Sequence, residues 1–156
     1  ITWKQIGDTL QIGLSAKNDE SRSYVYLNNM TVIVNKPNKI SIHAGSNNNN
    51  EMQWNNGSIT IKGLKQEQFD LHADNYTSVI LTGSQLNQLK STIGMKGPGA
   101  SALELAKDNV IQSADFKVEG ESALKLNSPS IIKTNYQLSD QATVTLNGKA
   151  LKTLFE

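Results

Sequence analysis

Asp70-Leu71-His72-Ala73-Asp74 sets a carboxylate, an imidazole and a second carboxylate two residues apart from one another. Successive side chains of a strand leave opposite faces, so on a strand Asp70, His72 and Asp74 share one face and Leu71 and Ala73 the other. Carboxylate and imidazole at this spacing are the residue types that ligate a transition metal or trade protons as general acid and base. They are equally the polar face of an ordinary half-buried strand, and nothing else in the chain completes a site around them. His43, the other histidine, belongs to a second alternating segment, Ile40-Ser41-Ile42-His43. No Gly-x-Ser-x-Gly elbow is present. Gly94-Met-Lys-Gly-Pro-Gly99 lacks the Gly-Lys-Ser/Thr ending of a phosphate loop. The absence of cysteine excludes a disulfide framework, thiol catalysis and cysteine-ligated zinc. The expectation is therefore no catalytic residue, no cofactor and no metal, with Asp70, His72 and Asp74 as surface candidates only.

The elements that position these residues are set by a repeat. Ser101-Ala-Leu-Glu-Leu105, Ser122-Ala-Leu-Lys-Leu126 and Ala142-Thr-Val-Thr-Leu146 are three copies of one phrase, each ending in leucine at a nearly constant spacing. A second apolar pair follows each (Val110-Ile111, Ile131-Ile132, Ala150-Leu151), and a third alternating segment follows two of them (Phe116-Lys-Val118, Tyr136-Gln-Leu138). A fixed period, here about 20 residues, means stacked units, none of which buries its apolar face alone. Alternation within each segment means strands, and residues such as Lys107-Asp-Asn109, Glu119-Gly120 and Asn127-Ser-Pro129 are turn-formers between them. Three short strands and three corners in about 20 residues make one coil of a parallel β-helix, with equivalent strands about 4.8 Å apart along the axis. An antiparallel sandwich or meander also uses short strands, but it needs hairpin turns, and Asn56-Gly57 and Asn147-Gly148 are the only Asn-Gly pairs. The fold predicted is all-β, a single-stranded parallel β-helix (solenoid) of about 20 residues per coil. A chain of 156 residues would then hold about seven coils.

The whole chain, 1–156, reads as one domain: residues 1–34 as lead-in or cap strands, 35–156 as repeating coils. Gly7-Asp8 is a turn before the alternating Leu10, Ile12 and Leu14, and residues 24–27 and 30–34 read as further strands. Residues 45–51, Gly-Ser-Asn-Asn-Asn-Asn-Glu, form a polar loop. The 17 asparagines suit a coil with many corners, because asparagine tolerates left-handed backbone angles. The formal charge is +1 and Arg22 is the single arginine, so the basic footprint of a nucleic-acid-binding protein is missing. No apolar run reaches transmembrane length. The sequence begins at Ile1 rather than methionine, and a signal segment for export is expected outside it.

Gly7-Asp-Thr-Leu-Gln-Ile12, Ile59-Thr-Ile-Lys-Gly63, Phe69-Asp-Leu-His-Ala73, Thr77-Ser-Val-Ile-Leu-Thr-Gly83 and the Ser-Ala-Leu-x-Leu repeats together resemble the bacterial auto-transporter adhesin family with a head GIN domain, a family of unknown activity. The resemblance spans most of the chain through structural repeats. It implies a right-handed β-helix, an exported protein of the periplasm, outer membrane or cell surface, and no established catalytic residues. The function expected is a non-enzymatic, adhesin-like or envelope-associated module that binds glycan or cell-surface protein partners through its outer coil faces. The alternative is a carbohydrate-active enzyme with its site near Asp70, His72 and Asp74. Such an enzyme needs carboxylates or cations clustered across coils, whereas one outward row reads Glu104, Lys125, Thr145. Self-association through the coil ends is a further expectation, because end strands expose unpaired edges.

Overall fold

The computed structural model describes residues 2–7, 9–13, 39–43, 58–74, 76–95 and 99–152. The chain divides into two compact units, Ile1–Ile33 and Val34–Glu156. In the first, β1 (Thr2–Ile6) and β2 (Thr9–Gly13) pair antiparallel, from Thr2↔Gly13 to Ile6↔Thr9. Gly7 turns the chain between them with a φ of 56°, a left-handed angle that glycine adopts without a Cβ penalty. The strands expected at 24–27 and 30–34 and the loop at 45–51 lie outside the described residues.

The second unit is a parallel β-solenoid. One five-stranded sheet stacks β4 (Ser58–Lys62), β6 (Ser78–Thr82), β8 (Ala102–Leu105), β10 (Ala123–Asn127) and β12 (Thr143–Asn147). The other stacks β3 (Lys39–His43), β5 (Lys65–Asp74), β7 (Gln85–Ile93), β9 (Val110–Val118) and β11 (Ser130–Leu138). Every pairing within both sheets is parallel. The period read from the sequence is therefore one coil, as the repeat predicts. Four coils run complete from β4–β5 to β10–β11, fewer than seven. Part of the difference lies in the antiparallel pair of the first unit. Part lies in coils longer than the repeat, as where Lys39 stacks on Asp70 and Leu81 on Leu105.

Each coil has two strands rather than the expected three. The second and third apolar segments of the repeat are one continuous long strand, such as β9. Inside each long strand two consecutive residues avoid the core: Glu67-Gln68, Asn87-Gln88, Gln112-Ser113 and Ile132-Lys133. The inward alternation resumes after them at Phe69, Leu89 and Ala114, all buried. The pairing skips only Glu67, Asn87, Gln112 and Ile132 and resumes at the next residue. A one-residue irregularity of this kind bends a strand without ending its ladder, so the third corner lies within the strand.

Inward side chains form columns along the axis. Ile61, Leu81, Leu105, Leu126 and Leu146 are successive partners in the short sheet. In the long sheet the columns are Ile40, Leu71, Ser91, Phe116, Tyr136 and Ala73, Ile93, Val118, Leu138. Phe116 stacks on Tyr136 with ring centroids 5.7 Å apart. Leu81, Leu89, Leu103, Leu105 and Leu124 are wholly buried, and burial of such side chains contributes about 1.5–3 kcal/mol each. After β12 the chain turns into the short helix α1 (Lys149–Lys152). The apolar pair Ala150-Leu151, expected to begin another strand, thus supplies a helical turn whose Ala150 packs against the core.

Corner backbone groups bond from coil to coil. Gly94 N–H donates to Ala73 O, Glu119 N–H to Ile93 O, and Ser139 N–H to Val118 O. One corner differs in length. Leu81 to Gln85 and Leu126 to Ser130 span four residues, but their partners Leu105 to Val110 span five. Asn109 absorbs the extra residue. Its fully buried amide donates to Leu81 O (2.7 Å) and Ala106 O (2.8 Å) and accepts from Ser84 N–H (3.0 Å). Asn109→Ala removes the partner of the Ser84 N–H and is expected to cost about 1–3 kcal/mol in urea unfolding. A loss within experimental error would show that this corner is not held by the amide.

Candidate functional site

Asp70, His72 and Asp74 lie on β5 with Leu71 (2 % exposed) and Ala73 (0 %) inward, so the alternation turns the three polar residues away from the core; Asp70 and His72 are half-buried there, but Asp74, expected at the surface, is buried at 9 % exposed. The strand does not bring them into one cluster. His72 Nε2 lies 3.1 Å from Asp74 Oδ2. Asp70 Oδ1 instead accepts a hydrogen bond from Gln68 Nε2 at 3.1 Å. The ladder places Asp70 between Lys39 and Lys90, with Asp115 one coil further. The register also sets His43 opposite Asp74 and Ser41 opposite His72. Among the described residues, no group of three or more His, Cys, Asp or Glu converges in a way that could hold a metal ion.

The remaining outward rows are knitted by polar contacts between coils. Glu104 accepts from Lys125 Nζ (3.3 Å) and Asn127 Nδ2 (2.5 Å), and Asn147 Nδ2 donates to Asn127 Oδ1 (2.8 Å). Asp115 accepts from Asn135 (2.7 Å) and Gln88 (3.3 Å). Those bonds, that from Asn135 first, hold its carboxyl below the ordinary value. Within a single coil, Lys117 pairs with Glu119 at 2.8 Å.

A concave surface forms at the long corner. The extra residue carries Lys107 and Asp108 outward, where both are exposed. Asp108 is tied back to the preceding coil: Thr82 Oγ1 donates to its carboxylate at 2.9 Å. The Gly83 backbone N–H, then the Thr82 hydroxyl, lower its pKa. Below this projection lie two adjoining concavities. One, of about 340 Å³, is lined by Ala106, Lys107, Asn127, Ser128 and Asn147. The other, of about 580 Å³, is lined by Lys107, Asp108, Ser128, Gly148, Lys149 and Lys152. The chain matches no family model, no curated protein and no solved structure.

Ser128 ties the groove floor to α1. Ser128 Oγ donates to Asn147 O (2.9 Å) and accepts from Lys149 N–H (3.2 Å), which fixes the start of α1 against the corner below. Its rim carries Lys107, Lys149 and Lys152 against a single carboxylate already bonded to Thr82. The groove thus sets three cations around a shallow floor whose Asn127, Asn147 and Ser128 side chains are already hydrogen-bonded within the solenoid, with no nucleophile–base pair among its lining residues. None of these residues was a sequence candidate. The visible signals were the longer spacing at 105–110 and the lysines of Lys149-Ala-Leu-Lys152, which read as a strand segment.

Proposed function

We propose that this chain is a non-enzymatic, exported, adhesin-like or envelope-associated β-solenoid that binds acidic glycans. The groove carries this reading: three lysines from two elements rim a channel floored by Asn127, Asn147 and Ser128. Ammonium groups attract carboxylated or sulfated sugars, and the hydrogen-bonded floor below them holds the two elements that carry the lysines in place. Attraction of this kind at an exposed surface weakens as salt screens it. Export is carried over from the resemblance read in the sequence; the binding role rests on the groove alone.

The test is a titration with an acidic polysaccharide, polygalacturonate, and a neutral one, dextran, followed for binding and for cleavage. Selective, salt-sensitive binding of polygalacturonate is expected. Lys107→Glu with Lys149→Glu should weaken it by about tenfold or more, as two charge reversals do at about 0.7 kcal/mol each. Absence of binding, or equal binding of dextran, overturns the proposal. Cleavage also overturns it, and would direct mutagenesis to the His72–Asp74 pair.

A further inference from the structure

We infer that the groove is one end of a longer track, and that its ligand is an acidic polysaccharide laid along the solenoid axis with an anionic group on every second sugar. The inference rests on the acidic-glycan reading and adds to it the direction and the charge spacing of the ligand.

The track is the edge at which each short strand turns into the element that follows it. Five such corners stack along the axis, at residues 62–65, 82–85, 105–110, 127–130 and 147–149, and all of their residues are described. Backbone groups join each corner to the next. Gly63 N–H donates to Thr82 O (3.0 Å), Ala106 N–H to Leu81 O (3.0 Å) and Ser130 N–H to Asn109 O (2.9 Å), and Lys149 N–H donates to Ser128 Oγ (3.2 Å). The corners therefore keep the pitch of the sheets, about 4.8 Å.

Charge alternates from corner to corner. The first carries Lys62 and Lys65, the third Lys107, and the fifth Lys149, with Lys152 one helical turn further on; all five are exposed. The second corner (Thr-Gly-Ser-Gln) and the fourth (Asn-Ser-Pro-Ser) carry no cation. Asp108 is the only carboxylate of the five corners. It belongs to the third, but its side chain lies back over the second, where it accepts from Thr82 Oγ1 at 2.9 Å. A negative charge thus stands between the cations of the first and third corners.

A ligand anion therefore meets a cation at every second corner, a step of about 9.6 Å. That step is the length of an extended disaccharide. A polymer in which every sugar is acidic sets an anion over Asp108, and like charges repel. One in which acidic and neutral sugars alternate sets a neutral sugar there. Asp108 is thus the residue that discriminates between the two, and Lys62, beyond the groove, is a further point of attachment. An alternating hexasaccharide, with three acidic groups, reaches all three cationic corners. A tetrasaccharide, with two, reaches only two of them.

Calorimetric titration at low salt tests this with oligosaccharides of defined length: tetra-, hexa- and octasaccharides of glucuronate alternating with N-acetylglucosamine, and hexagalacturonate. The alternating hexasaccharide should bind about fivefold tighter than the tetrasaccharide, the gain for one more exposed ion pair, and the octasaccharide within about twofold of the hexasaccharide. The hexasaccharide should also bind tighter than hexagalacturonate, although the latter carries more carboxylates. Lys62→Glu should bring the hexasaccharide down to the level of the tetrasaccharide, and Asp108→Asn should tighten hexagalacturonate more than the alternating chain. The wild-type length series decides even without these variants. Hexagalacturonate binding as tightly as the alternating hexasaccharide, or no gain from tetrasaccharide to hexasaccharide, overturns the inference and leaves the acidic-glycan reading standing. No binding of any of the four overturns both.

Discussion

Replacing Leu126 by alanine is expected to destabilise the solenoid by about 2–5 kcal/mol, the range for a buried leucine that leaves a partly collapsed cavity. Leu126 is 2 % exposed and sits between Leu105, wholly buried, and Leu146, half-buried, as direct ladder partners. Coils above and below hold the cavity open, because the pitch is fixed by backbone hydrogen bonds along both sheets and the column cannot close by sliding. Leu146→Ala should cost about half as much, since less apolar area leaves water when Leu146 packs. The two variants form one measurement, urea unfolding in dilute solution. A loss below about 0.5 kcal/mol for Leu126→Ala lies outside the range for a buried leucine and would break the column. Equal losses at both positions would mean that Leu146 is covered as fully as Leu126.

The solenoid was legible in the sequence because stacking imposes a rule on residue type. Each inward position meets its own equivalent, so Leu105, Leu126 and Leu146 had to be alike, and their spacing set the coil length directly. The number of strands per coil was not legible. Val110-Ile111 and Phe116-Lys-Val118 read as two separate segments because the polar Gln112 and Ser113 after the first break the alternation. Only the ladder shows that a single rung is skipped and that the strand bends rather than ends. α1 was hidden for a related reason. Ala150-Leu151 fits the place of Ile131-Ile132 in the repeat, and a four-residue helix has too few turns to show a helical period.

The outer face of β5 was legible to the same depth and no further. Alternation placed Asp70, His72 and Asp74 together on one side, but it could not say that Asp70 turns to Gln68 while His72 turns to Asp74. Those choices are made by rotamers and by neighbouring rungs, and the rung opposite Asp74 is His43, a whole coil earlier in the chain. The groove depends on a one-residue difference between corners. In sequence that difference is a slight lengthening of one repeat; in three dimensions it carries Lys107 out over Ser128 and Asn147. An irregularity in a repeat is where a solenoid can depart from its own symmetry, and here it coincides with the proposed site.

How tightly the corners stack is open to a direct comparison of two glycines. Gly63 and Gly94 both turn corners at left-handed angles, φ 75° and 82°. Either substitution by alanine carries the backbone penalty of that region, about 1–2 kcal/mol. Their surroundings differ. A methyl group at Gly63 would meet nothing within 4 Å, whereas at Gly94 it would collide with Glu119 O and Ser122 Oγ. Neither contact yields cheaply. Glu119 N–H donates to Ile93 O at 2.8 Å, and Ser122 Oγ accepts from Ser101 N–H at 3.0 Å. Moving either residue strains bonds between successive coils. Gly94→Ala is therefore expected to exceed Gly63→Ala by about 2 kcal/mol or more, the scale of an overpacked site. Thermal and urea unfolding of the two variants against wild type measure the difference, and the shared backbone angle cancels in it. Equal losses would mean that the corner at Gly94 opens to admit a methyl group. The pitch of the solenoid would then be set by the strand ladders alone, and not by the contact of one corner with the next.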